Sequence, residues 1–144
     1  MIEQDTVRLL RECDKGVKMG VSAIDDVMGY VKRDELKQAL NDCRSDHLRL
    51  EDELEQLLHR YHDEGKEPGL MLKGMSKMKT TMKLAANTTD STVADLITDG
   101  CNMGIKSLSK FLNEYKAAEE VAKDITKKLI SQEEELSVRL RDFL

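Results

Sequence analysis

Apolar residues return along this chain in alternating steps of three and four, the spacing that places side chains on one face of an α-helix. The most regular seam is Leu36, Leu40, Cys43, His47, Leu50, Leu54, Leu57 and Tyr61. An earlier seam is Leu10, Asp14, Val17, Val21, Ile24, Met28 and Val31. A late seam is Ala122, Ile125, Leu129, Gln132, Leu136, Leu140 and Phe143. Because each face must pack against neighbouring helices, the pattern predicts an all-α bundle.

Polar and turn-forming residues separate the helical stretches. We predict helices over 6–31 (with Asp5 as the N-cap), 34–63, 69–86, 92–116 and 119–144. The links after residues 31 and 116 are so short that each joins two antiparallel helices, whereas residues 64–91 are long enough to cross the bundle. The sequence thus predicts one domain, 1–144, made of a hairpin (5–63), a long crossover containing a short helix (64–91) and a second hairpin (92–144).

The two hairpins carry a short internal repeat. Residues 13–18, CDKGVK, recur 88 positions later as CNMGIK at 101–106. An offset of 86 relates the second helices, where it pairs Cys43 with Leu129 and Leu54 with Leu140. The offset changes at a link, where chain length varies freely. The repeat therefore favours a bundle with approximate twofold symmetry.

Composition narrows the classes of function. Aromatic residues are 3% and charged residues 35% of the chain, so Leu, Ile, Val, Met and Ala must form the core. A net charge of −5 argues against a nucleic-acid partner, which needs a basic face. No apolar run reaches the ~20 residues of a transmembrane helix, and the charged N-terminus does not resemble a secretory signal. Three cysteines without CxxC spacing predict buried, reduced thiols and a cytoplasmic location.

Polar residues interrupt the apolar seams and require partners, because burying an unpaired polar group is costly. Asp14, His47 and Gln132 lie on seams, and Asp46 precedes His47. The repeat places Asn102 at the position equivalent to Asp14. We therefore predict a polar layer across the middle of the bundle, made of Asp14, Asp46 or His47, Asn102 and Gln132.

Two hairpins, a long crossover and inward polar residues in mid-helix resemble the ferritin-like superfamily. The stretches ECDKGVKMG, CRSDHLRLEDEL, DGCNMGIKSL and LISQEEELSVRL are similar to a bacterial ferritin-like family of unknown function. The resemblance covers nearly the whole chain and implies a ferritin-like antiparallel four-helix bundle. Metal-binding bundles of this kind take one carboxylate from each of two helices and a Glu-x-x-His pair from each of the other two.

The sequence departs from that ligand pattern. Arg44 stands three residues before His47, where an acid is required, and Arg49 rather than histidine follows three residues after Asp46. The last helix has no histidine. The metal-ligand candidates that remain are Asp14, Asp46, His47 and Glu51. We expect a degenerate site without a resident cofactor, and iron or manganese binding is the alternative.

The predicted crossover helix has a distinct composition. Its methionines form one stripe, and residues 68–89 hold four lysines and no acid, so this segment is +4 and the remainder −9. The stripe consists of Met71, Met75, Met78 and Met82, and the lysines are Lys73, Lys77, Lys79 and Lys83. The stripe either covers the bundle or forms a basic amphipathic face for a membrane surface or an acidic partner.

Gly16, Gly20, Gly100 and Gly104 lie inside predicted helices, where each glycine costs ~1 kcal/mol relative to alanine. Close helix approach would account for them, and so would room for a ligand. With no catalytic motif, we expect a non-enzymatic binding or structural module, and its exposed helix faces are compatible with a homo-oligomer; the sequence does not identify a protein partner. An iron-handling protein and a peripheral membrane or adaptor protein that uses the crossover are the two alternatives.

Overall fold

The structure is a computed structural model that describes residues 2–61 and 88–144. The helices are α1 (Ile2–Met28), α2 (Asp34–Arg60), α3 (Asp90–Glu114) and α4 (Glu120–Leu140), and a 3-10 turn (Arg141–Phe143) follows. The described residues contain no strand, which confirms the all-α prediction. The predicted crossover helix and its Met and Lys stripe lie outside the described residues. None of the four helices is apolar enough over a sufficient length to cross a membrane.

The helix starts include one side-chain cap and one position where the predicted cap is wrong. Thr89 caps α3, since its hydroxyl accepts a hydrogen bond from the backbone N–H of Thr92 at 3.2 Å. Asp5 is not an N-cap, because α1 already begins at Ile2. An acid is also favoured inside the first turn of a helix, next to the positive end of its dipole, and that is where Asp5 lies.

Hydrogen bonds join the start of α3 to the link between α1 and α2, and join α1 to the link between α3 and α4. At one end, the carboxylate of Asp90 accepts hydrogen bonds from the backbone N–H groups of Lys32 (2.8 Å) and Arg33 (3.0 Å), between α1 and α2. At the other end, the hydroxyl of Thr6 accepts one from the N–H of Glu119 (2.8 Å), just before α4. Tyr61 also donates to the Glu119 carboxylate, at 2.7 Å. The residues on either side of the undescribed segment therefore lie at opposite ends of the bundle.

The apolar core has two halves. Near the α1–α2 link it contains Ile24, Val27, Leu36, Leu40, Val93, Ile97, Leu136 and Leu140. Near the α3–α4 link it contains Leu9, Leu10, Val17, Leu50, Leu54, Leu108, Ile125 and Leu129. Along α2 and α4 the two halves are separated by buried His47 and Glu133. A polar layer thus crosses the middle of the bundle, as predicted, and it contains the predicted His47 together with Glu133, which was not predicted.

Two ion pairs between α2 and α4 follow the internal repeat. Arg139 lies 3.0 Å from Asp42, and Lys128 lies 3.8 Å from Glu53. Lys128 stands 86 positions after Asp42, and Arg139 stands 86 positions after Glu53. The offset of 86 therefore exchanges one ion pair with the other, which is the relation that twofold-related hairpins produce.

Candidate functional site

The middle layer is built on a contact between α2 and α4. His47 is fully buried, and its Nε2 lies 3.0 Å from Oε1 of Glu133. Gly20 of α1 makes room for the imidazole, because a Cβ there would lie 2.8 Å from Cδ2 of His47. No real side chain tolerates that distance, so close approach is the reason for glycine at this position.

The contact makes His47 a cation at neutral pH. Burial alone lowers the pKa of an imidazole, but the hydrogen bonds and charges of Cys43 and Glu133 outweigh burial and raise the pKa of His47 to about 10. Nε2 therefore donates to a carboxylate acceptor, and the site is a buried ion pair.

Each of the three thiols has a different neighbour. Sγ of Cys43 lies 3.7 Å from Nδ1 of His47, and Cys101 is hydrogen-bonded to Glu133. Sγ of Cys13 lies 3.0 Å from the hydroxyl of Thr126. Burial raises the pKa of the Cys13 thiol to about 12, and burial together with Glu133 raises that of Cys101. All three are buried and free of disulfides, as the sequence predicted.

A cavity of about 260 Å³ lies between α1 and α3 and reaches this layer. Its outer wall carries Gly16, Met19, Gly20, Ala23, Ile24, Leu96, Ile97, Asp99, Gly100, Met103 and Gly104, and its inner end carries Cys43, His47, Cys101, Glu133 and Leu136. A Cβ at Gly100 would meet nothing within 4 Å. Close helix approach thus accounts for Gly20, whereas Gly100 is an exposed residue beside the cavity.

A second polar cluster lies within the first hairpin. Buried Asp14 accepts a hydrogen bond from Nζ of Lys18 at 3.0 Å, and Glu51 lies 3.9 Å from the same ammonium. Burial, and then the neighbouring Asp14, raise the pKa of Glu51 to about 8. A proton on Glu51 directed at Asp14 would satisfy carboxyl oxygens of this pair that have no other hydrogen-bond partner among the described residues.

Of the predicted members, His47 lies in the layer, Asp14 lies in the second cluster, and Asn102, Gln132 and Asp46 (the alternative to His47) are not core residues. Asn102 is exposed, and Asp46 is half-exposed and turned to Arg49 at 3.2 Å. Gln132 is only partly buried, and its amide donates to the backbone carbonyl of Asp46 at 3.5 Å. Between Leu129 and Leu136, a step of three leads to Gln132 and a step of four to Glu133, and packing selects the latter. The repeat contained a signal for Glu133, since it stands 86 positions after His47.

The four metal-ligand candidates are held in three separate groups. Asp14 and Glu51 face each other and Lys18, Asp46 faces Arg49, and His47 has one ring nitrogen against Glu133 and the other against Cys43. Among residues 2–61 and 88–144, no three His, Cys, Asp or Glu side chains are arranged to hold a metal ion. This donor arrangement does not fit the two-metal site that the resemblance implies.

Comparison with known proteins adds no assignment to this geometry. No family model matches the chain, and no curated protein or solved structure is significantly similar to it. The function is therefore inferred from the middle layer and the cavity themselves.

Proposed function

We propose that this chain is a non-enzymatic binding module on a ferritin-like, antiparallel four-helix bundle, and that it holds a small, largely apolar molecule between α1 and α3. The observation that carries the proposal is the cavity of about 260 Å³, which has apolar walls and a few polar groups at its inner end. Such a combination is typical of sites for small molecules, in which apolar surface supplies affinity and polar groups supply orientation.

The order of contacts supports an antiparallel first hairpin. Asp25, late in α1, lies 2.7 Å from Arg44, whereas Lys18, a full two turns earlier, approaches Glu51 farther along α2. The opposite placement of the two ends that flank residues 62–87 supports a long crossover, which is the ferritin-like connection.

The dimensions of the cavity limit its occupant. An engineered apolar cavity of about 150 Å³ holds benzene, so about 260 Å³ suits a substituted aromatic ring or a short branched chain. His47 and Glu133 already balance each other's charge. A ligand that carried a further charge to the inner end would lose its hydration without gaining an ionic partner, so the proposed ligand is uncharged there.

The ion pair also explains the proposed absence of a metal function. The buried acids of the two clusters are committed to a cation or a proton: Glu133 to His47, and Asp14 to Lys18 and Glu51. These contacts stabilise the middle of the bundle and leave the cavity wall as the surface for a ligand.

The test is a titration with indole, followed by chemical shifts in two-dimensional NMR spectra of the labelled protein. We expect saturable shifts at Gly100, Gly104 and other residues that line the cavity. Gly100→Leu places a side chain in the open space without a clash and should abolish the shifts. Gly29→Leu is the matched control, because a Cβ there also meets nothing but lies outside the cavity. Equal binding by both variants would contradict the proposal.

A further inference from the structure

The three cysteines form a natural comparison, because all are buried but only two reach the cavity. Cys43 and Cys101 line its inner end, whereas Cys13 packs against Thr126 elsewhere in the core. The two cavity thiols differ in their neighbour: Cys43 faces an imidazole, and Cys101 faces a carboxylate. An adjacent imidazole promotes the thiolate form, and an adjacent carboxylate opposes it.

The neighbours of Cys43 form a continuous chain of contacts. Its Sγ lies 3.7 Å from Nδ1 of His47, whose Nε2 lies 3.0 Å from Glu133. A thiol next to an imidazole, which is itself oriented by a third polar group, is the arrangement that activates cysteine as a nucleophile. Gly20 packs against the imidazole ring and limits where it can lie. The ring therefore has one nitrogen for the acid and one for the thiol.

We propose that Cys43 is a nucleophilic thiol that adds to small, uncharged carbon electrophiles entering the cavity. An α,β-unsaturated carbonyl compound is the chemical class that fits. Sγ bonds to the β-carbon, the carbon–carbon π bond opens, the α-carbon takes the proton that the His47 imidazolium carries on Nδ1, and the proton of the thiol replaces it on that nitrogen. Glu133 is a positioning residue that keeps Nδ1 directed at Sγ. The step needs no oxidant or reductant, and its product is a thioether.

This inference rests on the proposed function only in that the electrophile must enter the same cavity. The apolar walls favour an uncharged reagent, and the limited volume favours a small one. Acrylamide meets both requirements, whereas a biotin-linked maleimide exceeds the space available.

The experiment exposes the folded, full-length protein to acrylamide and follows adducts by intact mass and peptide mapping. We expect one adduct, on Cys43, at least tenfold faster than on Cys13 or Cys101. The bulky maleimide should label Cys43 slowly relative to its rate with a free thiol. This comparison needs no variant, because the other two cysteines are internal controls. Labelling of Cys101 or Cys13 at an equal rate, or of no thiol before unfolding, would overturn the proposal.

Variants then test the role of the neighbours. His47→Asn should slow the reaction at Cys43 by roughly tenfold or more, since proton transfer by a positioned side chain typically contributes 10²–10⁴-fold. Glu133→Gln should slow it less than Glu133→Ala, because an amide still accepts a hydrogen bond from the ring. An unchanged rate in folded His47→Asn protein would refute the activating contact. Cys43→Ser should still bind indole but should form no adduct with acrylamide at position 43. Failure of the covalent step can therefore be distinguished from failure of the proposed binding function.

Discussion

The two polar clusters of the core differ in what they connect. Asp14, Lys18 and Glu51 join α1 to α2 within the first hairpin, and there two acids compete for one ammonium. His47 and Glu133 join α2 to α4, and there one base meets one acid. The first cluster therefore keeps an extra proton at neutral pH, whereas the second is balanced and links the two hairpins.

The internal repeat explains why the clusters diverged differently. Asn102, Lys106 and Ser137 occupy the positions equivalent to Asp14, Lys18 and Glu51. Asn102 is exposed and the Ser137 hydroxyl donates to the Glu134 carbonyl, so the second hairpin has no matching acid pair.

His47 and Glu133, in contrast, are each other's equivalents under the offset of 86 and are in contact. Residues of the same charge at positions 47 and 133 would repel each other, whereas residues of opposite charge attract. Because these two residues are in contact, a change at one of them alters the surroundings of the other, which does not apply to Asn102 and Asp14.

Glu133→Ala should have the largest effect on stability. It leaves the buried imidazole of His47 without its acid, and removing one partner of a buried pair costs about 3–5 kcal/mol. Urea unfolding followed by circular dichroism measures the loss. Exposed Glu135 on the same helix is the control, because surface substitutions change stability by about 0.5 kcal/mol or less. Equal stability of Glu133→Ala and Glu135→Ala would show that the two hairpins are not held together by this pair.

Gly20→Ala should have the second-largest effect on stability. The added methyl group would lie within 3 Å of the His47 ring, and overpacking of this kind costs about 1–3 kcal/mol. Gly16→Ala, one turn earlier, meets Leu129 at an ordinary 3.5 Å and should be neutral or stabilising by up to ~1 kcal/mol. The sign of the difference between the two midpoints of unfolding tests whether close approach explains Gly20.

The two clusters should also respond to pH in different windows. A carboxyl group whose pKa is raised by folding binds more protons in the folded than in the unfolded state, so it loses its stabilising effect as pH rises. Because the pKa of Glu51 is raised from 4.5 to about 8, stability should fall between these two pH values. We expect a fall of roughly 1–2 kcal/mol, below the full conversion of the pKa shift because Lys18 and solvent lie near the pair.

The contribution of His47 to folding stability also falls as pH rises, but at higher pH. Its pKa is raised from 6.5 to about 10, so its stabilisation is complete below pH 6.5 and is lost as pH rises towards 10. Glu51→Gln should therefore flatten the stability profile between pH 5 and 6.5, and His47→Gln should flatten it between pH 8 and 9. If Glu51→Gln left the lower window unchanged, the shared proton would be ruled out.

The smallest effect is expected for the two repeat-related ion pairs at the surface. Arg139→Ala and Lys128→Ala each remove one partner of an exposed pair between α2 and α4, and such pairs contribute little and are screened by salt. Thermal unfolding at low and high salt should show small losses of similar size that decrease with added salt. A large loss for only one variant would argue against equivalent roles in the two hairpins.

Periodicity alone was sufficient to predict four long helices, the short link after α1, the cap region before α3 and the burial of all three cysteines. These features depend on local spacing and turn chemistry, which one sequence displays directly. The repeat between Cys13 and Cys101 was equally visible, and both thiols are buried.

Spacing placed His47 in the polar layer, but neither its partner Glu133 nor the cavity followed from spacing. Gln132 and Glu133 fit the seam of α4 equally well, since one follows Leu129 by three residues and the other by four, and helix packing decides which of them is buried. That choice is decided by how α4 packs against α2, where His47 requires an acid. The open side of Gly100 and the closed side of Gly20 likewise depend on the neighbouring helix, because a glycine's surroundings are a property of the packed bundle and not of its own helix.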